Sequence, residues 1–402
     1  MKYACILLLG LCATTLGTPV AAELTLQSDY PGGNIVVEKH SPGAVELRQD
    51  YHTSSRWWFY WNFEATAAPG EMVPFSFTDG NVIGTRGPAV SLDQGKTWNW
   101  LGTDTVDAEN SRTAFRYTFG ETGGPVRFAF APPYQVSDLE RFLETVSGHP
   151  ALTVDTLCQS EANRPVPRVR IASQAGSPKH RVLLTARHHA CESMASYVLE
   201  GMFAALLGDA EDGAWFRANV EVMAIPIVDL DGVEGGEQGK NRIPRDHGRD
   251  YKDESIYAST RAIRETVPSW ADGKLHFTLD IHCPHIRGSG NEHIYLVGHE
   301  RPEIWREQQR FARILEAVPN ASLPYAASND MPFGESWNTA KNYNAGAGIF
   351  QWAGALPGTR NAGAIEIPYA NAGDVTITTE TARAYGATLV AAIRTYLESI
   401  HE

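Results

Sequence analysis

Two histidines and a carboxylate follow directly on an apolar run in LLTARHHACESMASYVLEG, where His188, His189 and Glu192 stand close together. A zinc ion takes an imidazole nitrogen and a carboxylate oxygen, and a catalytic zinc needs a third protein ligand and one open position for water. His189 and Glu192 have i, i+3 spacing and His188 and Glu192 have i, i+4 spacing, so spacing alone leaves the choice of histidine open. Asp280-Ile281-His282-Cys283-Pro284-His285 forms a second polar cluster at the end of KLHFTLDIH. Strand alternation puts Asp280 and His282 on one face, so one can ligate while the other orients it. Glu366 interrupts the apolar run GAIEI, and burying a lone carboxylate is costly unless a cation or polarised water lies beside it.

Together, His189, Glu192 and His282 make a His2Glu set with a fourth position open, the arrangement of a catalytic rather than a structural zinc. One zinc per chain would lower the pKa of a water, and a neighbouring carboxylate would accept its proton and return it to a leaving amine. An arginine would hold the oxyanion. The glycine-containing stretch IPIVDLDGVEGGEQGKNRIPRDHGRDY offers Lys240, Arg242, Arg245 and Arg249 for such duties.

These clusters need elements to hold them. Val182 to Thr185 reads as a buried strand, and Glu192 to Gly208 as an amphipathic helix with Met194, Tyr197, Val198, Met202, Ala205 and Leu206 on one stripe. VEVMAIPIVD, KLHFTLDIH, HIYLVG and GAIEI read as further strands. Helices are expected near Ser255–Ala271, Pro302–Val318 and Thr379–Ser399, and LTVDTLCQ with PVPRVRIAS reads as a hairpin. Strands alternating with helices predict a mixed, largely parallel α/β sandwich over residues 149–402, with polar clusters at strand ends where such folds build sites. Upstream, residues 23–148 show short aromatic and β-branched runs broken by turn residues, the pattern of an antiparallel β-sandwich. Its dense aromatics, Trp57, Trp58, Tyr60, Trp61, Trp98 and Trp100, are expected mainly in the core, because alternation in WWFYWNF turns half of them inward. PPYQVSDLERFLETVSGHP supplies the boundary, with a helix start at Ser137-Asp138 and a stop at Gly148.

A chain of 402 residues, 43% hydrophobic and 20% charged, has the composition of a folded globular protein with room for two such units. Its formal charge of -13 argues against nucleic acid and anionic membrane as partners. Residues 1–22 combine one lysine, a short apolar run and small residues before Glu23, the layout of a cleavable secretory leader, which predicts a periplasmic or secreted protein. Bulky Leu11 before Cys12 disfavours a lipoprotein. No later run reaches membrane-spanning length. Cleavage would leave Cys158, Cys191 and Cys283, with Cys191 and Cys283 expected as packing residues rather than a disulfide.

The ordered set ARHHACESMASYVLEG, PIVDLDG, NRIPRDHGRDY, LDIHCPH and AIEIPYA resembles the motif set of the M14 zinc metallocarboxypeptidases. The likeness is to bacterial relatives of the cytosolic carboxypeptidases that carry an N-terminal β-sandwich. The resemblance implies a zinc exopeptidase acting on peptides, with His189, Glu192 and His282 as ligands and Glu366 as general acid/base. It also implies Asp246 as the carboxylate orienting His189, Arg242 as the carbonyl-polarising arginine, Arg249 as the grip on the substrate's terminal carboxylate, and Tyr343 as the family's mobile phenol. Gly248 departs from the asparagine expected before Arg249, and Gly348 from the basic residue by which glutamate-trimming relatives read an acidic side chain. The first departure keeps a second reading in view, a zinc amidase or deacylase of peptidoglycan peptides or N-acyl amino acids. A silent glycan-binding protein is disfavoured by the intact ligand set. Preferred residue and oligomeric state are not encoded in these motifs.

Overall fold

Nine short strands come before residue 130 among the described residues: β1 Thr25–Gln27, β2 Val36–Ser41, β3 Ala44–Arg48, β4 Asn62–Thr66, β5 Met72–Phe77, β6 Ala89–Ser91, β7 Asn99–Trp100, β8 Ala114–Thr118 and β9 Val126–Ala129. The computed structural model describes residues 23–41, 44–54, 58–107, 112–172, 177–344 and 346–400. The leader predicted over residues 1–22, with Cys5 and Cys12, lies outside the described residues, as does Trp57. The strands form two sheets, ordered β1-β4-β9-β6-β7 and β2-β3-β5-β8. Trp61, Phe63, Phe75, Phe115 and Phe128 are buried in the sandwich core. Their rings lie at contact distance, 5.4 Å between Phe63 and Phe75 and 5.0 Å between Phe75 and Phe115. Tyr60 and Trp98 are also buried, while Trp58 and Trp100 are partly so. One pairing departs from the antiparallel expectation: β3 and β5 run parallel. The chain leaves β3 for the other sheet, forms β4 there, and returns, so β5 enters in the same direction as β3.

The remaining main elements, in chain order, are α1 Val136–Thr145, β10 Leu152–Gln159, β11 Pro165–Ile171, β12 His180–Ala186, α2 Ser193–Leu207, α3 Glu211–Asn219, β13 Val220–Ile225, α4 Leu230–Glu234, α5 Ala258–Ala271, β14 Leu275–His282, β15 Tyr295–Val297, α6 Pro302–Glu316, α7 Ile349–Ala353, β16 Asn361–Glu366, the short hairpin strands β17 Asn371–Ala372 and β18 Val375–Thr376, and α8 Thr379–Glu398. Seven of these strands form one sheet, ordered β10-β11-β13-β12-β14-β16-β15. The central four, β13, β12, β14 and β16, are parallel, and the flanking pairs are antiparallel. α2 and α8 approach closely because Gly201 and Gly386 lack side chains: a Cβ at Gly201 would fall 1.9 Å from the Arg383 carbonyl oxygen, and one at Gly386 2.3 Å from that of Val198.

Parallel strands present their C-terminal ends along one edge. β12, β14 and β16 therefore deliver His188/His189, His282 and Glu366 to the same rim, with His282 opposite Glu366 in register. No helix among the described residues is long and apolar enough to cross a membrane. The sandwich and the α/β unit share one continuous hydrophobic core. Polar contacts tie them too: Asn34 Nδ2 donates to the Gly236 carbonyl (2.7 Å), and Gln238 accepts from the Tyr60 backbone N–H (2.9 Å) while its Nε2 reaches Cys191 Sγ at 3.0 Å. Cys158, Cys191 and Cys283 are free thiols. Burial pushes the Cys191 thiol up to about 12, so it is inert packing.

Candidate metal centre and cleft

The chain turns sharply where β12 ends, because Arg187 adopts a left-handed conformation with φ +61°. A non-glycine residue holds such a backbone only when its surroundings fix it. The buried guanidinium does so, donating to the Ala190 carbonyl (3.0 Å), the Tyr134 carbonyl (2.8 Å) and Ser196 Oγ (3.0 Å). The two histidines then diverge. His188 is sealed, with Nδ1 2.8 Å from Asp280 and Nε2 2.8 Å from the Tyr251 hydroxyl, so both ring nitrogens have protein partners. His189 turns its Nδ1 to Glu192 Oε1 at 2.9 Å and its Nε2 toward Asp246 Oδ1 at 3.6 Å.

His282 completes the group from β14. Its Nδ1 lies 2.8 Å from Glu192 Oε2 and its Nε2 2.6 Å from Asp280 Oδ2. The predicted trio of His189, Glu192 and His282 offers donor atoms all within 4.8 Å of one another. His188, Asp280 and His282 meet the same distance limit, but the buried ring of His188 is already bonded at both ends. The first trio fits a zinc ion. Both Nδ1 atoms point to one carboxylate; the hydrogen bond to Asp280 fixes the His282 tautomer, and His189 Nε2 faces Asp246. Glu366 adds to the fit: it is buried, and its Oε2 has no hydrogen-bond partner among the described residues.

The electrostatics follow from this crowding. Burial alone would lower the His282 pKa, yet the carboxylates of Asp280 and Glu192 hold it well above its ordinary value. Burial likewise works against an ionised Glu192, but Lys240, His189 and His282 keep its carboxyl well below the usual range. Asp246 is held low by His189 and Arg249 against its burial. Glu366 alone among these carboxyls is shifted upward, by burial first and by the negative charge of Glu192.

These groups border a cleft of about 500 Å³ whose wall includes His189, Lys240, Asp246, Arg249, His285 and Glu366, with Trp58 entering from the sandwich. Arg249 borders it with one hydrogen bond, to the Gly248 carbonyl, and no carboxylate at ion-pair distance among the described residues. Its guanidinium lies 4.8 Å from the Tyr343 ring centroid. Tyr343 itself is buried, with its hydroxyl donating to Asn338 Oδ1 (3.1 Å). In this conformation the phenol ring packs against the Arg249 guanidinium. Gly248 stands where it does for a steric reason: a Cβ there would lie 2.8 Å from His189 Nε2.

Arg242 borders the same cleft, and its guanidinium also braces the loop. Its guanidinium is buried against Asp229 (2.5 Å) and Glu237 (2.9 Å), its Nε reaches Thr53 Oγ1 (3.0 Å), and its Nη1 lies 3.1 Å from His247 Nδ1. Each of its three nitrogens thus has a protein partner, although the side chain still borders the cleft. A further cation at the metal site is Lys240, whose ammonium lies 2.7 Å from Glu192 Oε1. Motif spacing did not single it out, since it is one of four basic residues in a glycine-rich loop. Arg187 was equally hidden; an arginine directly after a buried strand was its one signal.

Residues 139–280 match the family model described as zinc carboxypeptidase, Peptidase M14. Cytosolic carboxypeptidase 2 of Homo sapiens is 31% identical over 274 residues, covering 60% of this chain and 30% of that protein. Cytosolic carboxypeptidase 2 of Xenopus tropicalis is 27% identical over 265 residues, covering 57% of this chain and 27% of that protein. The chain thus spans well under half the length of these curated relatives. Among solved structures, a metallo-carboxypeptidase from Burkholderia cenocepacia superposes with a TM-score of 0.78 at 20% identity, over 94% of this chain and 99% of that one. One from Pseudomonas aeruginosa, in complex with (2-guanidinoethylmercapto)succinic acid, gives 0.72 at 19% identity, over 93% and 99%. At these identities the structures share the fold.

Proposed function

Because this chain belongs to the M14 zinc carboxypeptidase family, we propose that it hydrolyses the C-terminal bond of peptides at the rim formed by β12, β14 and β16. The observation that carries this reading is the juxtaposition of the His189, Glu192 and His282 donors with the buried, unpartnered carboxylate oxygen of Glu366. His189 and His282 would hold zinc through Nδ1 and Glu192 through its carboxylate. Zinc, when bound there, supplies Lewis acidity and lowers the pKa of a water toward neutrality. Asp246 and Asp280 fix the two rings so that Nδ1 is free to ligate. Glu366, its carboxyl raised by burial, takes the proton from the attacking water and delivers it to the departing amine. Arg249, uncommitted to any carboxylate, receives the terminal carboxylate and so makes the enzyme an exopeptidase.

Export is part of the proposal. The leader-like residues 1–22 support it, whereas the named relatives are called cytosolic; N-terminal sequencing of the protein from cell fractions decides between them.

Glu366→Gln tests the catalytic core. It should retain one zinc per chain by elemental analysis while kcat falls about 10²–10⁴-fold. Loss of zinc in this variant, or retention of hydrolysis, would remove Glu366 from the role of acid/base.

A further inference from the structure

Behind the metal pocket, on the side away from the cleft, a chain of buried side chains continues from Asp280 that the hydrolytic steps do not use. The parallel register of β12 and β14 places Thr185 beside Asp280. Strand alternation turns Asp280 and His282 to one face, and Asp280 Oδ2 lies 2.6 Å from His282 Nε2. The other oxygen, Oδ1, accepts from the Thr185 hydroxyl at 2.8 Å and lies 2.8 Å from His188 Nδ1. Beyond His188 stands Tyr251, its hydroxyl 2.8 Å from Nε2. Thr185, His188, Asp280 and Tyr251 are each no more than 2% exposed.

The proton positions follow from these partners. A carboxylate only accepts, so His188 donates to Asp280 from Nδ1 and His282 donates from Nε2. His188 Nε2 then carries a lone pair, to which the Tyr251 hydroxyl donates. Without that donor the lone pair of a wholly buried ring is left unpaired, and the other tautomer sets a bare nitrogen against Asp280. Apolar side chains would fill this space at lower cost, since a buried polar network stabilises only when every bond is made. What the network delivers is the aim of Asp280 Oδ2, and with it the orientation of the His282 ring, whose Nδ1 faces Glu192. The His188 and His282 rings also lie 6.0 Å apart and within 21° of parallel.

We propose that His188 and Tyr251 are positioning residues for the metal ligand His282. The Tyr251 hydroxyl fixes the tautomer of His188, His188 and Thr185 fix Asp280, and Asp280 holds His282 with Nδ1 free to ligate. Tyr251 has other duties that its hydroxyl does not serve: its backbone N–H donates to the Ala347 carbonyl (3.2 Å), and its ring lies 5.8 Å from that of Trp352. The hydroxyl can therefore be removed while the ring and backbone stay packed.

The assignment rests on the metal site of the hydrolytic reading, and its test separates the two. Tyr251→Phe, His188→Gln and the double variant would be compared with wild type for zinc affinity by chelator competition, for the visible spectrum of the cobalt(II)-substituted protein, and for kcat and KM. Tyr251→Phe should bind zinc about 10-fold more weakly, shift the cobalt(II) bands and lower kcat, with KM within about threefold. His188→Gln should weaken zinc binding about 10–100-fold. In that background Tyr251→Phe should add less than about twofold, because the tyrosine acts through the histidine. Unaltered zinc affinity and cobalt(II) spectrum in Tyr251→Phe, with only a lower Tm, would make the chain a packing feature and overturn the proposal. An equal loss from Tyr251→Phe with and without His188 would overturn it too. Should His188→Gln not fold, the zinc affinity and cobalt(II) spectrum of Tyr251→Phe decide alone. Wild-type protein that binds zinc but releases no C-terminal residue would refute the exopeptidase reading instead, and the zinc affinities of the variants would still decide for or against the chain.

Discussion

At the scale of single residues, the site is a set of carboxylates and imidazoles that satisfy one another in pairs, so small steric changes should be felt at the metal. Gly248 shows this most clearly. Asparagine at this position would seem to restore a donor for a substrate carboxylate, but its Cβ would press on His189 Nε2 at 2.8 Å and sit 3.4 Å from Asp246 Oδ1. Gly248→Asn should therefore weaken zinc binding about 10–100-fold in a chelator competition, as disturbing a ligand's outer partner does, with no gain in substrate affinity. Unchanged zinc affinity and a lower KM would show that the backbone yields. His282 and Glu366 were legible in the sequence because each ends an apolar strand, and Glu192 because it lies in the polar turn after one, whereas the choice of His189 over His188 came from the family resemblance. The placement of Lys240 beside Glu192 was not, because a loop rich in glycine fixes no face for its side chains.

At the scale of elements, the alternating strands and helices of the C-terminal unit were readable because each carries its own apolar period. α7 was not: AGAGIFQW reads as a glycine-rich loop, yet Ile349–Ala353 forms a short helix whose Gly348 backbone N–H donates to Gln351 Oε1 (2.9 Å). The parallel pairing of β3 with β5 was equally hidden, since periodicity says nothing of which sheet a strand joins. The edge strand β15 depends on a half-buried acid outside any regular element. Asp330 Oδ1 accepts from the Leu296 backbone N–H at 2.8 Å, and both oxygens lie 2.8 Å from the Tyr325 hydroxyl. Burial pushes the Asp330 carboxyl up from 3.8 to about 6, against the hydrogen bonds from Leu296 and Tyr325 and with the charge of Glu316; Tyr385 also faces it. Between these values the folded state holds a proton that the unfolded chain has released. This group's contribution to stability is thus fully present below about pH 4 and is lost as pH rises to about 6. Asp330→Asn should be more stable than wild type at pH 7 by on the order of 1–3 kcal/mol, the difference vanishing near pH 4 in urea titrations. A difference independent of pH would mean that Asp330 does not titrate in this window.

At the scale of the whole molecule, the sandwich is part of the site's foundation. Gln238 links the Tyr60 backbone to Cys191 in the turn that carries His189 and Glu192, Arg187 bonds the Tyr134 carbonyl, and Trp58 walls the cleft. With one continuous core, the chain should unfold in a single transition, tryptophan fluorescence and zinc release changing together on heating. Separate melting of the sandwich with zinc still held would contradict a shared foundation. Two compositional units were readable from the sequence; their fusion was not, because the contacts that join them are far apart in the chain. The central claim, that this edge of the sheet hydrolyses C-terminal peptide bonds, is tested most directly by offering the zinc-loaded protein the same peptides as free acids and as C-terminal amides. Release of single C-terminal residues from the acids, with the amides inert and activity lost on chelation, is the predicted result. Equal cleavage of acids and amides, or cleavage that survives chelation, would contradict it.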